Sequence, residues 1–377
     1  GKATGLHILY GCEFYMFDPF PNYVFNPSDI PLSNARYCVF DTETTGLSSM
    51  FDRMTEFGGV LVENGAVSKR FDSLINPGIA IPKMIQEKTH ITDEMVKGKP
   101  TIEELMPQIE EFIKGTILVS HNASFDMGFL NESRKRMGLA PLTNPVIDTL
   151  PLSHYLFPDR KYHNLEALYK NLGLPDYKED AAHRADADAE SLWNAWAVML
   201  PILNPKGKLL HKDLMNLKID EDYFRFAPLK EKVEKGTASI DDLNDLVKST
   251  VSNFYKNIRA THMIALVKNE QGLKDLYALV SLSNTTYLAD LPKIPKSELS
   301  RLRKNLLFGS ACFNGEVFRS ATYDSYDKLK ETMKFYDYIE IQPVENYSYL
   351  VNTHDITQER LMQILKTIIK AADELKI

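Results

Sequence analysis

The stretch YCVFDTETTGL, from Tyr37 to Leu47, constrains the fold more than any other. An apolar run that ends at once in Thr-Thr-Gly predicts a strand running into a turn. Strand side chains alternate between faces, so Asp41 and Glu43 point the same way at the strand's end. Two carboxylates held side by side raise each other's pKa unless a positive charge lies between them. A bound divalent metal is the simplest source of that charge.

The surrounding pattern extends the strand into a domain. RYCVFD, MTEFGGVLVENG and AVSKRFDSLINP read as successive strands, with Glu63-Asn64-Gly65 as a hairpin signal. Thr101–Lys114, Phe125–Met137, Asn164–Asn171 and Asp186–Met199 read as helices, alternating with the strands TILVSH and PVIDTL. Strands first and then alternating α and β predict a mixed central sheet covered by helices. LHILYGCEFYMF at the start, and HMIALVKN, NLLFGSACF and YDYIEIQPV after Thr261, carry further buried-strand patterns, and GLKDLYALVSLS a helical one. Between them, the charged KGKLLHKDLMNLKIDEDYFRF and the polar, helical PLKEKVEKGTASIDDLNDLVKSTVSNFY read as a connector.

Bulk properties exclude several classes. With 44% hydrophobic and 25% charged residues, the 377-residue chain can build two or three cores and does not read as disordered. A net charge of −7 gives no global attraction for nucleic acid, so such binding must rest on a local basic surface or on metals. Cys12, Cys38 and Cys312 form no CxxC pair, which argues against a thiol zinc finger and fits a reducing cytoplasm. LWNAWAVMLPIL is too short to span a bilayer, so no membrane role is expected. The chain starts without Met and stops on an apolar helical pattern, IIKAADELKI, and these ends read as those of a fragment.

Two further patterns complete the acidic set. LVSHNASFDMGFL places Asp126 after a short strand near a helix start, and AAHRADADAESLWNAW places His183 five residues before Asp188. Each piece alone reads equally as a cap, a dipole partner or a structural histidine. FDTETTGL, SHNASFD and HRADADAE together resemble the three motifs of the DEDDh 3′→5′ exonucleases, a family built on the ribonuclease-H-like fold. The resemblance implies that Asp41, Glu43, Asp126 and Asp188 hold two Mg²⁺ or Mn²⁺ ions about 4 Å apart. On that pattern Asp41 bridges both ions, and Glu43 and Asp188 hold the one carrying the nucleophilic water. Asp126 binds directly or through water, and His183 is the general base. Thr44, Thr45 and Gly46 are expected to offer backbone donors to the terminal nucleotide beside His121 and Asn122, with Phe125 against its base. Turn formation and core packing are the alternative roles for these residues. Asp186, an acid the motif does not require, is expected to be a bystander.

The flanks resemble a second family. HILYGCEFYMF before the exonuclease, and THMIALVKNEQGLKDLYALVSLS, RKNLLFGSACFNGEVF and FYDYIEIQPVEN after it, are similar to PHP domains. An exonuclease inserted in a PHP domain resembles the PolC-type family of bacterial replicative polymerases. The implied fold is α/β: a ribonuclease-H-like mixed sheet flanked by helices, plus parts of a PHP-type distorted β/α barrel. The implied organisation is a first PHP fragment over 1–33, the exonuclease over 34–204, a helical connector over 205–255 and an incomplete PHP continuation over 256–377. Glu13, His262 and Cys312 match PHP ligand positions suited to Zn²⁺ or Mn²⁺. The family's leading HxH pair has no counterpart, so the PHP site is expected to be incomplete and is assigned no phosphatase activity.

The expected function is therefore a cytoplasmic proofreading 3′→5′ exonuclease that releases deoxynucleoside monophosphates. Its expected partners are a DNA 3′ end, the rest of a polymerase chain and, through parts outside this sequence, a sliding clamp. A free-standing nuclease that trims RNA and a catalytically silent scaffold module are the alternatives. The polymerase active site itself is expected to lie outside residues 1–377.

Overall fold

A computed structural model of the chain describes residues 8–18, 22–157, 160–175, 184–217, 239, 258–288, 291–353 and 356–377. The chain divides into two compact units, Pro21–Ile219 and the discontinuous pair Gly1–Phe20 with Asp220–Ile377.

In the discontinuous unit, β1 (Gly11–Phe17) is an interior strand. The sheet order is β10-β8-β1-β9, where β8 is Thr261–Val267, β9 Lys293–Pro295 and β10 Leu306–Gly309. β1 runs antiparallel to β8 and parallel to β9, so a strand from the N-terminal end completes a sheet built from residues more than 240 positions later. Residues 336–344, read as a strand from YDYIEIQPV, form none. Tyr338 makes a single bridge to Gly309, and the Glu340 amide donates to Ser310 Oγ instead of to a strand. This segment is partly exposed and has no partner strand along most of its length, so its apolar residues do not build a ladder.

The other unit is a six-stranded mixed sheet, ordered β2-β7-β6-β3-β4-β5. Its strands are β2 (Val24–Phe25), β3 (Tyr37–Thr44), β4 (Met54–Glu63), β5 (Ala66–Leu74), β6 (Ile117–Ser120) and β7 (Val146–Asp148). β3, β4 and β5 are antiparallel neighbours, and β6 lies parallel to β3 and to β7. The hairpin between β4 and β5 turns through Asn64 and Gly65, both left-handed at φ 53° and 77°, as a tight two-residue turn requires. Helices α1 (Lys83–Thr89), α2 (Asp93–Val96), α3 (Ile102–Ile113), α4 (Ala123–Arg136), α5 (Thr149–Leu156), α6 (Leu165–Leu172) and α7 (Ala185–Leu203) connect and cover these strands.

Two cores lie on opposite faces of β3, set by its alternation. Cys38 and Phe40 pack with α3 and α4 against Leu105, Ile109, Phe129 and Leu130. Tyr37 and Val39 pack on the other face with α7, where the Trp196 ring meets Tyr37 edge-on at 6.0 Å. On α7 the buried residues Ala185, Asp188, Ala189, Leu192, Ala195, Trp196 and Met199 recur at three- and four-residue spacing, so Asp188 lies on the helix's buried stripe.

The expected boundary at residue 33 moves toward the N-terminus. β2 pairs with β7, and Leu32 is fully buried in the α7 core, so residues 22–33 belong to the sheet unit. The connector also begins later than residue 205. Pro31 and Leu210 form an antiparallel bridge, the Leu32 amide donates to Leu209 O at 3.0 Å, and the His211 amide donates to Ile30 O at 2.9 Å. His211 and Leu214 are buried there because the apolar positions of LLHKDLMNL face the same core. Most of the helical stretch expected across 228–255 lies outside the described residues.

After β8 follow α8 (Glu270–Asn284), α9 (Lys296–Leu302), α10 (Glu316–Tyr323), α11 (Tyr326–Met333), α12 (Ser348–Asn352) and α13 (Gln358–Leu375). The apolar stripe of α13, Leu361, Ile364, Leu365 and Ile368, is buried where α13 packs with α10 and α11. Among the described residues no helix is long and apolar enough to cross a membrane.

Candidate active site

The alternation that divides the two cores also builds the site. Asp41 and Glu43 continue the Tyr37–Val39 face of β3, the one covered by α7, and Asp188 descends to them from the first turns of α7. One ligand atom from each of Asp41, Glu43 and Asp188 lies within 4.8 Å of the others. Thr42, between the two acids, faces the other way, toward α4. Its hydroxyl donates to Asp126 Oδ1 at 2.7 Å, and Ser120 Oγ donates to Asp126 Oδ2 at 2.5 Å. The fourth acid therefore reaches the end of β3 from the opposite side of the sheet, held by two hydroxyls.

The electrostatics register this crowding. Burial, reinforced by Asp126, Glu43 and Asp188, holds the Asp41 carboxyl well above the usual carboxylate range. Burial, with Asp188 and Glu56 adding to it, pushes Glu43 up to about 8. Burial raises Asp126 to about 6 against the pull of the Ser120 and Thr42 hydroxyls. Oxygen donors this close and this short of positive charge fit a hard divalent cation.

The second acid and histidine set lies in the discontinuous unit. The Glu13 carboxylate on β1 and the His262 Nδ1 on β8 are 2.5 Å apart, and Cys312 Sγ is 3.4 Å from the same nitrogen. The ligand atoms of all three lie within 4.8 Å of one another. Burial and the Glu13 charge raise the Cys312 thiol, and the Asn314 amide opposes them.

Comparison with known proteins adds the family. The Exonuclease model matches residues 38–195, and the PHP domain model matches residues 162–344. The DNA polymerase III PolC-type of Halalkalibacterium halodurans is 36% identical over 375 residues, 99% of this chain and 24% of that protein. That of Lacticaseibacillus paracasei is 37% identical over 378 residues, again 99% and 24%. The chain is a PolC-type exonuclease and PHP segment. It spans about a quarter of the length of these relatives. A solved structure, Exonuclease X in complex with 5′ overhanging duplex DNA, is 28% identical over 47% of this chain and 96% of that one, with a TM-score of 0.37. That likeness is too weak to add to the fold.

Several expected substrate residues of the PolC-type segment prove to be committed elsewhere. The Thr45 amide donates to Arg53 O at 2.8 Å and the Arg53 amide donates to Thr45 Oγ1 at 3.0 Å, so Thr45 closes the turn instead of offering a donor. The Thr44 hydroxyl donates to Gly46 O, and Gly46 lies so close to Asp52 that a Cβ there would meet its carboxylate at 2.5 Å. Asp52 Oδ2 in turn accepts from the Ser48 amide, and Arg136 Nη2 donates to Ser49 O and Met50 O. His121 is similarly occupied. Its Nδ1 pairs with Thr149 Oγ1 at 2.9 Å and its Nε2 with His163 O at 2.7 Å, and burial pushes its pKa down to about 4. A neutral, doubly bonded imidazole of this kind anchors the β6–α4 turn. Asn122 is exposed in the left-handed region at φ 76°, its amide donating to Asp148 Oδ1, and Phe125 is half-buried beside Phe129 at 4.9 Å. His183 and the side chain of Asp186 lie outside the described residues.

Four residues at the site are absent from the sequence reading: Thr42, Ser120, Glu56 and Arg184. Glu56, fully buried on β4, stands directly opposite Glu43 in the strand register and pairs with Arg184 at the start of α7. The signal for it was an acid inside the apolar run MTEFGGVLV, since a buried charge must find a partner. Thr42 carried no signal, because a threonine in a strand is ordinary. Thr42→Val keeps the shape and removes one donor from Asp126. We expect nuclease activity to fall about tenfold while stability drops by only about 1–3 kcal/mol, read by single-turnover cleavage and thermal melts.

Proposed function

We propose that this chain is the proofreading 3′→5′ exonuclease segment of a replicative DNA polymerase, removing a mispaired 3′-terminal nucleotide as its monophosphate. The observation that carries this is the convergence of Asp41, Glu43 and Asp188 within 4.8 Å, with Asp126 fixed beside them, inside a segment matching the exonuclease family. Bound divalent cations of the Mg²⁺ or Mn²⁺ type supply charge neutralisation and an acidified water. Asp41, Glu43 and Asp188 would hold them, and Asp126 would complete the set from the far side of β3. In the reaction a water oxygen forms the new bond to phosphorus as the bond to the 3′ oxygen of the penultimate sugar breaks. His183 takes the water's proton, a role its near-neutral ordinary pKa suits. The rigid Thr44–Arg53 turn shapes the wall beside the terminal nucleotide, and Phe125, one residue before Asp126, packs against its base.

The wider partners we infer are the 3′ end of a primer strand, the remainder of a PolC-type chain and, through that remainder, a sliding clamp, all in the cytoplasm. Glu13, His262 and Cys312 offer a nitrogen, a sulfur and a carboxylate, a donor set that suits Zn²⁺ or Mn²⁺. With three donors and no assigned base, we give that set a structural role.

The test offers the full 377-residue chain a 3′-mismatched primer–template DNA and an equivalent RNA, each with Mg²⁺ or Mn²⁺. We expect stepwise shortening of the DNA from its 3′ end, slowed by roughly 10²-fold or more in His183→Ala. Degradation of RNA alone would replace proofreading with RNA trimming. Failure of the folded, metal-bound chain to cut either would leave a scaffold.

A further inference from the structure

We propose that Glu56 is a positioning residue for the nuclease site, locking the first turn of α7 to β4 so that Asp188 is held at the distance the metal site needs. The inference rests on the exonuclease reading above. Glu56 Oε1 accepts from Arg184 Nε at 3.0 Å and from Arg184 Nη2 at 2.6 Å, a forked pairing of guanidinium and carboxylate. Glu56 Oε2 accepts from the Ala185 amide at 3.0 Å. Ala185 is the first residue of α7 and lies just under one turn before Asp188. Its amide is one of those a helix start leaves without an intrahelical acceptor. A carboxylate from a neighbouring strand therefore caps this helix, where the helix dipole also favours negative charge.

The geometry explains why packing alone is insufficient. α7 otherwise rests on the sheet through the apolar Ala189, Leu192, Ala195 and Trp196 and through an exposed ion pair of Glu190 with Arg70 on β5. Apolar contacts of that kind are non-directional and permit small slides along the helix axis. The hydrogen bonds that Glu56 accepts from Arg184 and Ala185 are directional, and Glu56 stands on the strand paired with the one that carries Asp41 and Glu43. All three metal-facing acids are thus referred to one β3–β4 pair.

The test titrates the metal-free 377-residue chain with Mn²⁺ alone, following binding by calorimetry and taking the nuclease site as the difference from Asp41→Asn. Glu56→Gln keeps the size but loses the charge, and Arg184→Lys keeps the charge but loses the fork. For either we expect the Mn²⁺ midpoint to rise about 10–100-fold and kcat on primer–template DNA to fall by a similar factor, with KM for the DNA end little changed. A merely structural role would lower the melting temperature and leave Mn²⁺ binding and kcat intact at temperatures well below it. The proposal is overturned if Glu56→Gln, folded by circular dichroism, binds Mn²⁺ within about twofold of wild type. Should Glu56→Gln not fold, Arg184→Lys carries the same criterion. Wild-type chain that binds Mn²⁺ but cuts nothing would sink the exonuclease reading and leave the Mn²⁺ titration to decide this one.

Discussion

Asp41→Asn is expected to abolish 3′-end shortening, lowering the rate by roughly 10³-fold or more, because several kcal/mol of transition-state stabilisation depends on this acid. Asp41 stands in the middle of the cluster, with Asp126, Glu43 and Asp188 all pressing on its charge. The same substitution removes a buried charge from among like charges without changing its shape. The metal-free variant is therefore expected to melt at a higher temperature than wild type under alkaline conditions, where the wild-type carboxyl must ionise. Added Mg²⁺ or Mn²⁺ should then raise its melting temperature far less than it raises that of wild type. Loss of activity together with loss of stability would point to simple misfolding and sink the assignment of Asp41 to the metal site.

The second large effect is a dependence of metal-free stability on pH. Glu43, ordinarily near 4.5, is raised to about 8 in the folded chain, chiefly by burial and then by Asp188 and Glu56. The folded state holds this proton more tightly than the unfolded state. The resulting stabilisation is complete below about pH 4.5 and is lost as pH rises through about 8. Metal-free chain should thus weaken between about pH 6 and pH 9 by on the order of a few kcal/mol, with Asp41 acting in the same sense. A divalent cation reverses the sign, since it binds the ionised acids and must displace their protons. The melting-temperature gain on adding Mg²⁺ should accordingly be larger at about pH 9 than at about pH 6. Equal gains at both pH values would show that the acids do not titrate as a cluster.

The sequence revealed the parts of this site that sit on strong local patterns. Asp41 and Glu43 follow from the two-residue period of a strand, and Asp188 from its spacing of five residues behind His183 in the third motif. The hairpin at Asn64-Gly65 followed from turn chemistry. What sequence could not supply was the non-local pairing. Nothing near Glu56 says that its partner lies 128 residues away, and nothing near Thr45 says that its amide will be taken by Arg53. The two-residue β2 is too short to carry a period of its own, and its existence depends on β7. YDYIEIQPV shows the opposite failure, a good strand pattern that meets a neighbouring strand only at the Tyr338–Gly309 bridge.

The bridge between Pro31 and Leu210 bears on the order in which the chain assembles on the ribosome. β1 is made first, but its partner β8 arrives about 245 residues later, tens of seconds at ordinary rates of synthesis. Closing so long a span as an open loop is entropically unfavourable. Once the sheet unit has formed, however, the antiparallel contact of residues 30–32 with 209–211 draws its two ends together. The span that β1 must then close is shortened to the residues outside that clasp. On this view the nuclease unit matures first and acts as an internal staple, and β1 is completed only after its enclosed neighbour has folded.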